Sequence, residues 1–245
     1  MPLSGILVYL LIDGLMYWLR PLPESTMEWY STLLITSANG YAAMTLLVLN
    51  QADEDLPAWR WLGRGVLLAF IARCTAIAIT LLIERPFVWQ ITDDVIILIA
   101  DALVIWGLWQ WLLASLSNPK TPTDSGQSSA MIASVFMFFF TAMCVIVPAF
   151  GLWGDPAYER AVQLSLSLLD VLGFLFCVRI FFYHQKLRIN ATPIYIFAVG
   201  YGLLCLVDPF AQFQSLLGAY HAFHWINMGW VLAYLLISNA AWKRR

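Results

Sequence analysis

The sequence predicts an all-α integral membrane protein, a polytopic bundle of eight transmembrane helices with both termini in the cytoplasm. Two observations carry this prediction. The 245 residues are 61% hydrophobic and 11% charged, whereas soluble domains carry about 25% charged residues. Apolar runs also recur along the whole chain, and no polar stretch is long enough for a soluble domain. We therefore expect residues 1–245 to form a single transmembrane domain in the lipid bilayer.

Eight stretches of the chain are suited to crossing a membrane, which takes about 20 mostly apolar residues. The first is short and contains Asp13, so seven helices plus an N-terminal interfacial helix is the structural alternative. This stretch lacks a basic flank before it and a small-residue cleavage site after it, so we expect a span rather than a signal peptide. The predicted spans are 3–19, 27–49, 61–83, 91–114, 129–151, 160–183, 191–208 and 217–239.

The orientation follows from the basic residues, because cytoplasmic loops of membrane proteins carry the excess of Lys and Arg. With the N-terminus inside, Arg20, Arg85 and Arg160 lie outside, and all other basic residues near span ends are cytoplasmic. The short loops and low lysine content favour a bacterial inner membrane. The cytoplasmic set is Arg60, Arg64, Lys120, Arg179, Lys186, Arg188, Lys243, Arg244 and Arg245.

The longest connection, residues 115–129, is rich in Pro, Ser, Thr and Gly. This composition predicts a polar cytoplasmic loop between two four-helix halves. The chain ends with Lys243, Arg244 and Arg245 shortly after the last predicted span, so we expect any signalling to pass through a membrane partner subunit. A net charge of −2 without a basic face excludes a nucleic-acid-binding protein.

Ionisable side chains inside predicted spans are costly in lipid, so each one is a candidate for function. At about 1.5 Å per residue, Asp13, Arg73, Asp101 and Asp170 lie roughly 15 to 18 Å into their spans, near one midplane. One arginine cannot neutralise three carboxylates, and an unpaired carboxylate in a low dielectric takes up a proton. The pattern favours a protein that binds or moves a proton, a cation or a small polar solute. The structural alternative is an Arg73–Asp101 ion pair that holds two helices together.

A second polar set lies toward the predicted outer ends of the spans and includes Asp93, Asp208, His221 and His224. The two histidines are three residues apart and would share one face of a helix. Imidazole together with carboxylate is a ligand set for zinc or another divalent metal. The pattern supports an alternative hypothesis, a membrane-embedded hydrolase that acts on lipid with Asp93, His221 and His224 as metal ligands.

The chain resembles the alkaline ceramidases, membrane hydrolases with a zinc site, in several short motifs. The resemblance implies a ceramidase-like scaffold with zinc held by Asp93, His221 and His224. Cys74 and Ala78 stand where the family has a serine and a histidine, and the last histidine pair is spaced by two residues instead of three. The zinc site is therefore incomplete, and the family's zinc hydroxide mechanism does not carry over. The motifs are Met27-Glu-Trp-Tyr-Ser-Thr32, Thr80-Leu81 followed by Asp93-Asp94, Asp208, and His221-Ala-Phe-His224.

Arg85, Trp89 and Thr92, at the start of the fourth predicted span, are similar to a motif of the microbial rhodopsins. Retinal in that family requires a Schiff-base lysine inside a span. The resemblance therefore fails on chemistry, and a retinal Schiff base is excluded. The lysines of this chain all lie outside the predicted spans: Lys120, Lys186 and Lys243.

Three hypotheses about function follow from these patterns. The leading one is a protein that binds or translocates a proton, cation or small polar solute through Asp13, Arg73, Asp101 and Asp170. The second is the metal-dependent lipid hydrolase. The third is a membrane sensor or an anchoring subunit of a larger complex, in which the polar residues only hold helices together.

The metal hypothesis has a direct test in elemental mass spectrometry of detergent-purified protein. It predicts a stoichiometric divalent ion that is lost in the His221→Ala/His224→Ala double variant, because the imidazoles would supply two of the ligands. Wild-type protein without a stoichiometric metal, or a double variant that keeps one, would count against it.

Overall fold

A computed structural model shows the chain as helical throughout its described residues, which confirms the predicted all-α class. It describes residues 24–50, 57–82, 87–116, 157–183, 192–216 and 226–243, and single residues within 11–15 and 131–140. The helices are α1 (Glu24–Asn50), α2 (Pro57–Leu82), α3 (Phe87–Leu116), α4 (Ala157–Tyr183), α5 (Thr192–Leu216) and α6 (Ile226–Lys243).

Prolines mark the starts of five of these six helices. Pro57 is the first residue of α2, and Pro193 is the second residue of α5. The residues immediately before α1, α3 and α4 are Pro23, Pro86 and Pro156. Proline suits a helix start because its fixed φ matches the helix and its missing N–H would have had no partner in the first turn. These five prolines therefore mark the points where the connecting segments end and the helices begin.

Five helices among the described residues are long and apolar enough to cross a membrane: Trp29–Val48, Pro57–Leu81, Asp94–Leu113, Ala161–Phe181 and Thr192–Ala211. Their outer faces are apolar as well. On α4, Leu164, Leu168 and Leu172 follow one another at a spacing of four residues, and all three are exposed. Water disfavours such a contiguous apolar stripe, whereas lipid accommodates it. The chain is an integral membrane protein.

The six helices form a ring, which we call the helix ring. Each helix packs against the next one in the chain, and α6 closes the ring by packing against α1. Small residues bring the backbones close together. A Cβ atom on Gly65 of α2 would lie 2.7 Å from the carbonyl oxygen of Ala100 on α3, so only glycine permits this approach. The ring encloses the faces of the helices that carry the polar residues.

The helices that close the ring, α1 and α6, run parallel to each other. Near their N-terminal ends, Nδ2 of Asn227 donates to Oγ of Ser31 at 2.5 Å. Farther along both helices, Oγ1 of Thr45 donates to Oγ of Ser238 at 3.3 Å. These four side chains are buried. The two hydrogen bonds fix the register of α1 against α6.

A second parallel pair is formed by α3 and α4. Asp101 and Asp170, in the middle of the two helices, lie within range of each other's charge. Toward the C-terminal ends, the rings of Trp109 and Phe176 contact each other with centroids 5.8 Å apart. Both helices therefore run in the same direction, although they are consecutive in the described chain.

Six of the predicted spans overlap α1 to α6, with corrections at two ends. The predicted seventh span stops at 208, but α5 continues through Pro209 to Leu216. A proline removes one backbone donor, and neighbouring groups in a membrane bundle can compensate for that loss. The predicted eighth span covers 217–239, whereas α6 covers Ile226–Lys243. The spans 3–19 and 129–151, apart from single residues within 11–15 and 131–140, and most of the loop 115–129 lie outside the described residues.

Candidate functional site

Asp101 lies in the middle of α3 and points toward α5. The hydroxyl of Tyr201 on α5 donates a hydrogen bond to Oδ1 of Asp101, with the two oxygens 3.3 Å apart. Tyr201 is buried. Its ring has room because Gly173 of α4 lies opposite: a Cβ atom there would come within 2.8 Å of Cε1 of Tyr201. The packing of α4 against α5 thus positions the Tyr201 hydroxyl that donates to Asp101 of α3.

Asp208 of α5 has a donor of its own on α6. Nε1 of Trp230 donates a hydrogen bond to Oδ1 of Asp208. An indole N–H can only donate, and it needs an acceptor when it is buried. The helices are close here, since a Cβ atom on Gly229 would lie 2.7 Å from Cγ2 of Val207. The α5–α6 packing therefore sets the position of Asp208.

Arg73 of α2 interacts with side chains of three other helices. Its charge interacts with the carboxylates of both Asp101 and Asp208. It also forms a side-chain hydrogen bond with Tyr234 of α6. The arginine is therefore shared between α3, α5 and α6. The structural alternative, an Arg73–Asp101 ion pair that holds two helices together, stays a prediction.

Asp170 of α4 is the most deeply buried carboxylate of the group, with 6% of its surface exposed. The charges of Asp208 and Asp101 both act on it, and both have the same sign as its own. Like charges in a low dielectric repel strongly, so three ionised carboxylates at this place would be unfavourable without added positive charge. The geometry favours a proton or another cation among them.

We call these side chains the polar interior: Arg73, Asp101, Asp170, Tyr201, Asp208, Trp230 and Tyr234. They come from five of the six helices of the ring. Tyr201 and Asp208 lie seven residues apart on α5, so both point the same way after two turns. The group combines carboxylate acceptors with aromatic hydroxyl and indole donors, a chemistry suited to holding a proton or a cation.

Asn39 of α1 is a further buried polar side chain. It is 0% exposed, and neither its Oδ1 nor its Nδ2 has a hydrogen-bond partner in the described part of the chain. A buried polar group without a partner costs about 1–3 kcal/mol. Native proteins rarely accept that cost without a reason, such as a bound water or ion.

The structure brings together three of the four residues predicted for the midplane, namely Arg73, Asp101 and Asp170. Asp13 lies outside the described residues. Sequence reasoning missed Asp208, which it placed with the residues at the outer ends of the spans. Because α5 extends beyond Pro209, Asp208 instead lies inside the helix and near Asp170. Its two-turn spacing from Tyr201 was the available signal.

The predicted metal ligands give a different result. Asp93 belongs to α3, while His221 and His224 lie outside the described residues. Within the described ranges, no group of three or more His, Cys, Asp or Glu side chains is arranged to hold a metal ion. The ligand set Asp93, His221 and His224 stays a prediction.

An apolar groove of about 470 Å³ lies between α4, α5 and α6. Phe181 and Val199 border it and are exposed, which places its opening on the outside of the ring. Cys177 and Gly202 lie deeper in it. The residues that line it are uncharged, so the groove is separate in chemistry from the polar interior on the other side of α5.

The polar interior is the feature of this chain that bears on function. No family model, no curated protein and no solved structure matches this chain. The arrangement supplies carboxylates of like charge, one arginine shared among them and aromatic donors that fix their positions. Such a set has the chemistry to bind a positive charge.

Replacing Trp230 with phenylalanine tests the donor role of the indole. The change keeps an aromatic ring but removes the N–H that donates to Asp208, so we expect a loss of about 1–3 kcal/mol of unfolding free energy. Reversible unfolding in mixed micelles followed by circular dichroism measures this. Trp106→Phe is the matched control, because Trp106 is 47% exposed on the outer face of α3. An equal effect of both substitutions would contradict the role.

Proposed function

We propose that this chain is a multi-pass membrane protein that binds or translocates a proton, a cation or a small polar solute through the polar interior. The observation that carries the proposal is the convergence of Asp101, Asp170 and Asp208 on one place inside a ring of membrane helices. Ionisable residues at membrane depth are rare, and they typically mark ion pathways and proton relays.

The charge balance supports this function over a purely structural one. Arg73 acts on Asp101 and Asp208, whereas the charges acting on Asp170 are those of the two other carboxylates. A structural ion pair would be expected to match its charges, because an uncompensated buried charge is strongly destabilising. An excess of carboxylates leaves places for mobile positive charge. We accordingly assign the binding of this mobile positive charge to Asp170.

The proposal includes eight transmembrane helices with both termini in the cytoplasm of a bacterium. The parallel pairs support it. Since α3 and α4 are both long enough to span and run in the same direction, the proposed span at 129–151 would bring the chain back across the membrane between them. The parallel pair α1 and α6, which we propose as the second and eighth spans, is consistent with the same order.

A fluorescent protein fused after Arg245 checks the orientation. We expect fluorescence in bacterial cells, because this reporter folds in the cytoplasm and Lys243, Arg244 and Arg245 favour that side. An alkaline phosphatase fusion at the same position should be inactive. The reverse pattern would refute the cytoplasmic C-terminus.

Neutralising the carboxylates tests the function. Asp101→Asn and Asp170→Asn keep the side-chain shape but remove the charge, so we expect each variant to lose at least about tenfold in ion flux, which corresponds to about 1.4 kcal/mol. The assay follows proton flux with a pH-sensitive dye, and sodium flux with a radioactive tracer, in liposomes that contain the purified protein.

The matched control is Asp124→Asn, which removes a carboxylate from the predicted loop and should leave the flux unchanged. Membrane insertion of every variant is checked by its yield and its elution in size-exclusion chromatography. Wild-type flux in both Asn variants, or wild-type protein that moves neither ion, would remove proton and cation transport from the proposal. That result would favour the hypothesis of an anchoring subunit in a larger membrane complex.

A further inference from the structure

Asn39 is buried completely, and neither end of its amide has a hydrogen-bond partner in the described chain. Two other buried polar side chains of α1 do have partners: Thr36 donates to the carbonyl of Thr32, and Thr45 bonds to Ser238. Oδ1 and Nδ2 of Asn39 have no such partner in the described chain. A native membrane helix could carry leucine there at lower cost, so the amide is expected to have a use.

The position of Asn39 on α1 directs it into the helix ring. Ser31 and Thr45 mark the edge of α1 that faces α6. Gly40 marks the edge that faces α2, because a Cβ atom there would lie 2.6 Å from Cε2 of Phe70. At 3.6 residues per turn, Asn39 lies between these two edges. Its side chain therefore points between α2 and α6, toward the polar interior.

The register of α1 against α6 gives the depth of Asn39. Ser31 is level with Asn227, and Thr45 is level with Ser238, so Asn39 is level with the residues around Tyr234. Tyr234 is the residue that hydrogen-bonds to Arg73. Asn39 thus lies at the level of the polar interior and adds the sixth helix to it.

We propose that the carbonyl oxygen of Asn39 is a ligand of a dehydrated monovalent metal cation, of the sodium type, bound in the polar interior. This inference rests on the proposed function and specifies its cargo. Oδ1 ligates the ion together with carboxylate oxygens, and Nδ2 donates to a carboxylate that shares the ion. The positive charge balances the excess of carboxylates over arginine.

Ligand chemistry favours this class of ion. Asn39 is 0% exposed, so its amide can be satisfied only by a partner inside the protein. Hard cations prefer oxygen ligands such as carboxylates and amide carbonyls. A divalent transition metal prefers a compact set of His, Cys and carboxylate ligands. The ligands proposed here are an amide carbonyl and carboxylates, with no His or Cys among them.

The experiment measures binding of radioactive sodium to purified, detergent-solubilised full-length protein, with the thermal midpoint in sodium chloride and choline chloride as a second readout. We expect saturable binding to the wild type and a higher midpoint in sodium. Asn39→Leu should weaken binding by about tenfold or more. Asn39→Asp, which keeps an oxygen ligand, should retain binding.

The matched control is Asn227→Leu, the same change at a buried asparagine that has a partner in Ser31. It should lower the thermal midpoint in both salts while sodium binding persists. Asn39→Leu is expected to fold, because it removes polar atoms that have no protein partner. If Asn39→Leu lowers the midpoint without changing sodium binding, the side chain is only a packing residue and the proposal fails.

The outcomes separate this inference from the proposed function. Wild-type protein without sodium binding, but with a proton flux that Asp101→Asn abolishes, overturns the sodium site and leaves the proposed function standing. Sodium binding that depends on Asn39 in a protein without flux supports the site and limits the function to binding. Sodium binding that is equal in wild type and Asn39→Leu overturns the inference.

Discussion

Charged side chains inside membrane helices must find partners within the protein, because lipid offers none, and this requirement shapes the helix ring. Arg73, Asp101, Asp170 and Asp208 come from four different helices and meet on the inside of the ring. If any of these helices turned about its axis, it would place a charge in lipid at a cost of several kcal/mol. The charges therefore help to fix the rotation of the helices, while apolar packing holds them together.

Aromatic side chains take the place of water around these charges. Tyr201 donates to Asp101, Trp230 donates to Asp208, and Tyr234 bonds to Arg73. Each of these residues combines an apolar body, which packs among helices, with one polar group at its end. Asp101 and Asp208 each have one such neutral donor in addition to the shared charge of Arg73. Such partial compensation is consistent with the ion binding that we propose.

The outside of the ring is apolar, in contrast to its polar interior. The stripe of leucines on α4 and the groove between α4, α5 and α6 present apolar surface, which lipid accommodates better than water does. Only α5 separates the groove from the polar interior, since Gly202 lies in the groove and the neighbouring Tyr201 faces the carboxylates. The α5 helix thus has an apolar surface toward the groove and a polar surface toward the carboxylates.

The sequence by itself determined the helical class and the membrane location, because composition and the length of the apolar runs report both. It also predicted one level for Arg73, Asp101 and Asp170 from the position of each along its span. Hydropathy does not report the rotation of a helix or the identity of its neighbours. Only the tertiary structure therefore decided that Asp208 lies near the other carboxylates in an α5 that continues past Pro209, that α6 packs against α1, and that Asn39 points inward without a partner in the described chain. These features depend on contacts between residues far apart in the chain, and no local pattern encodes them.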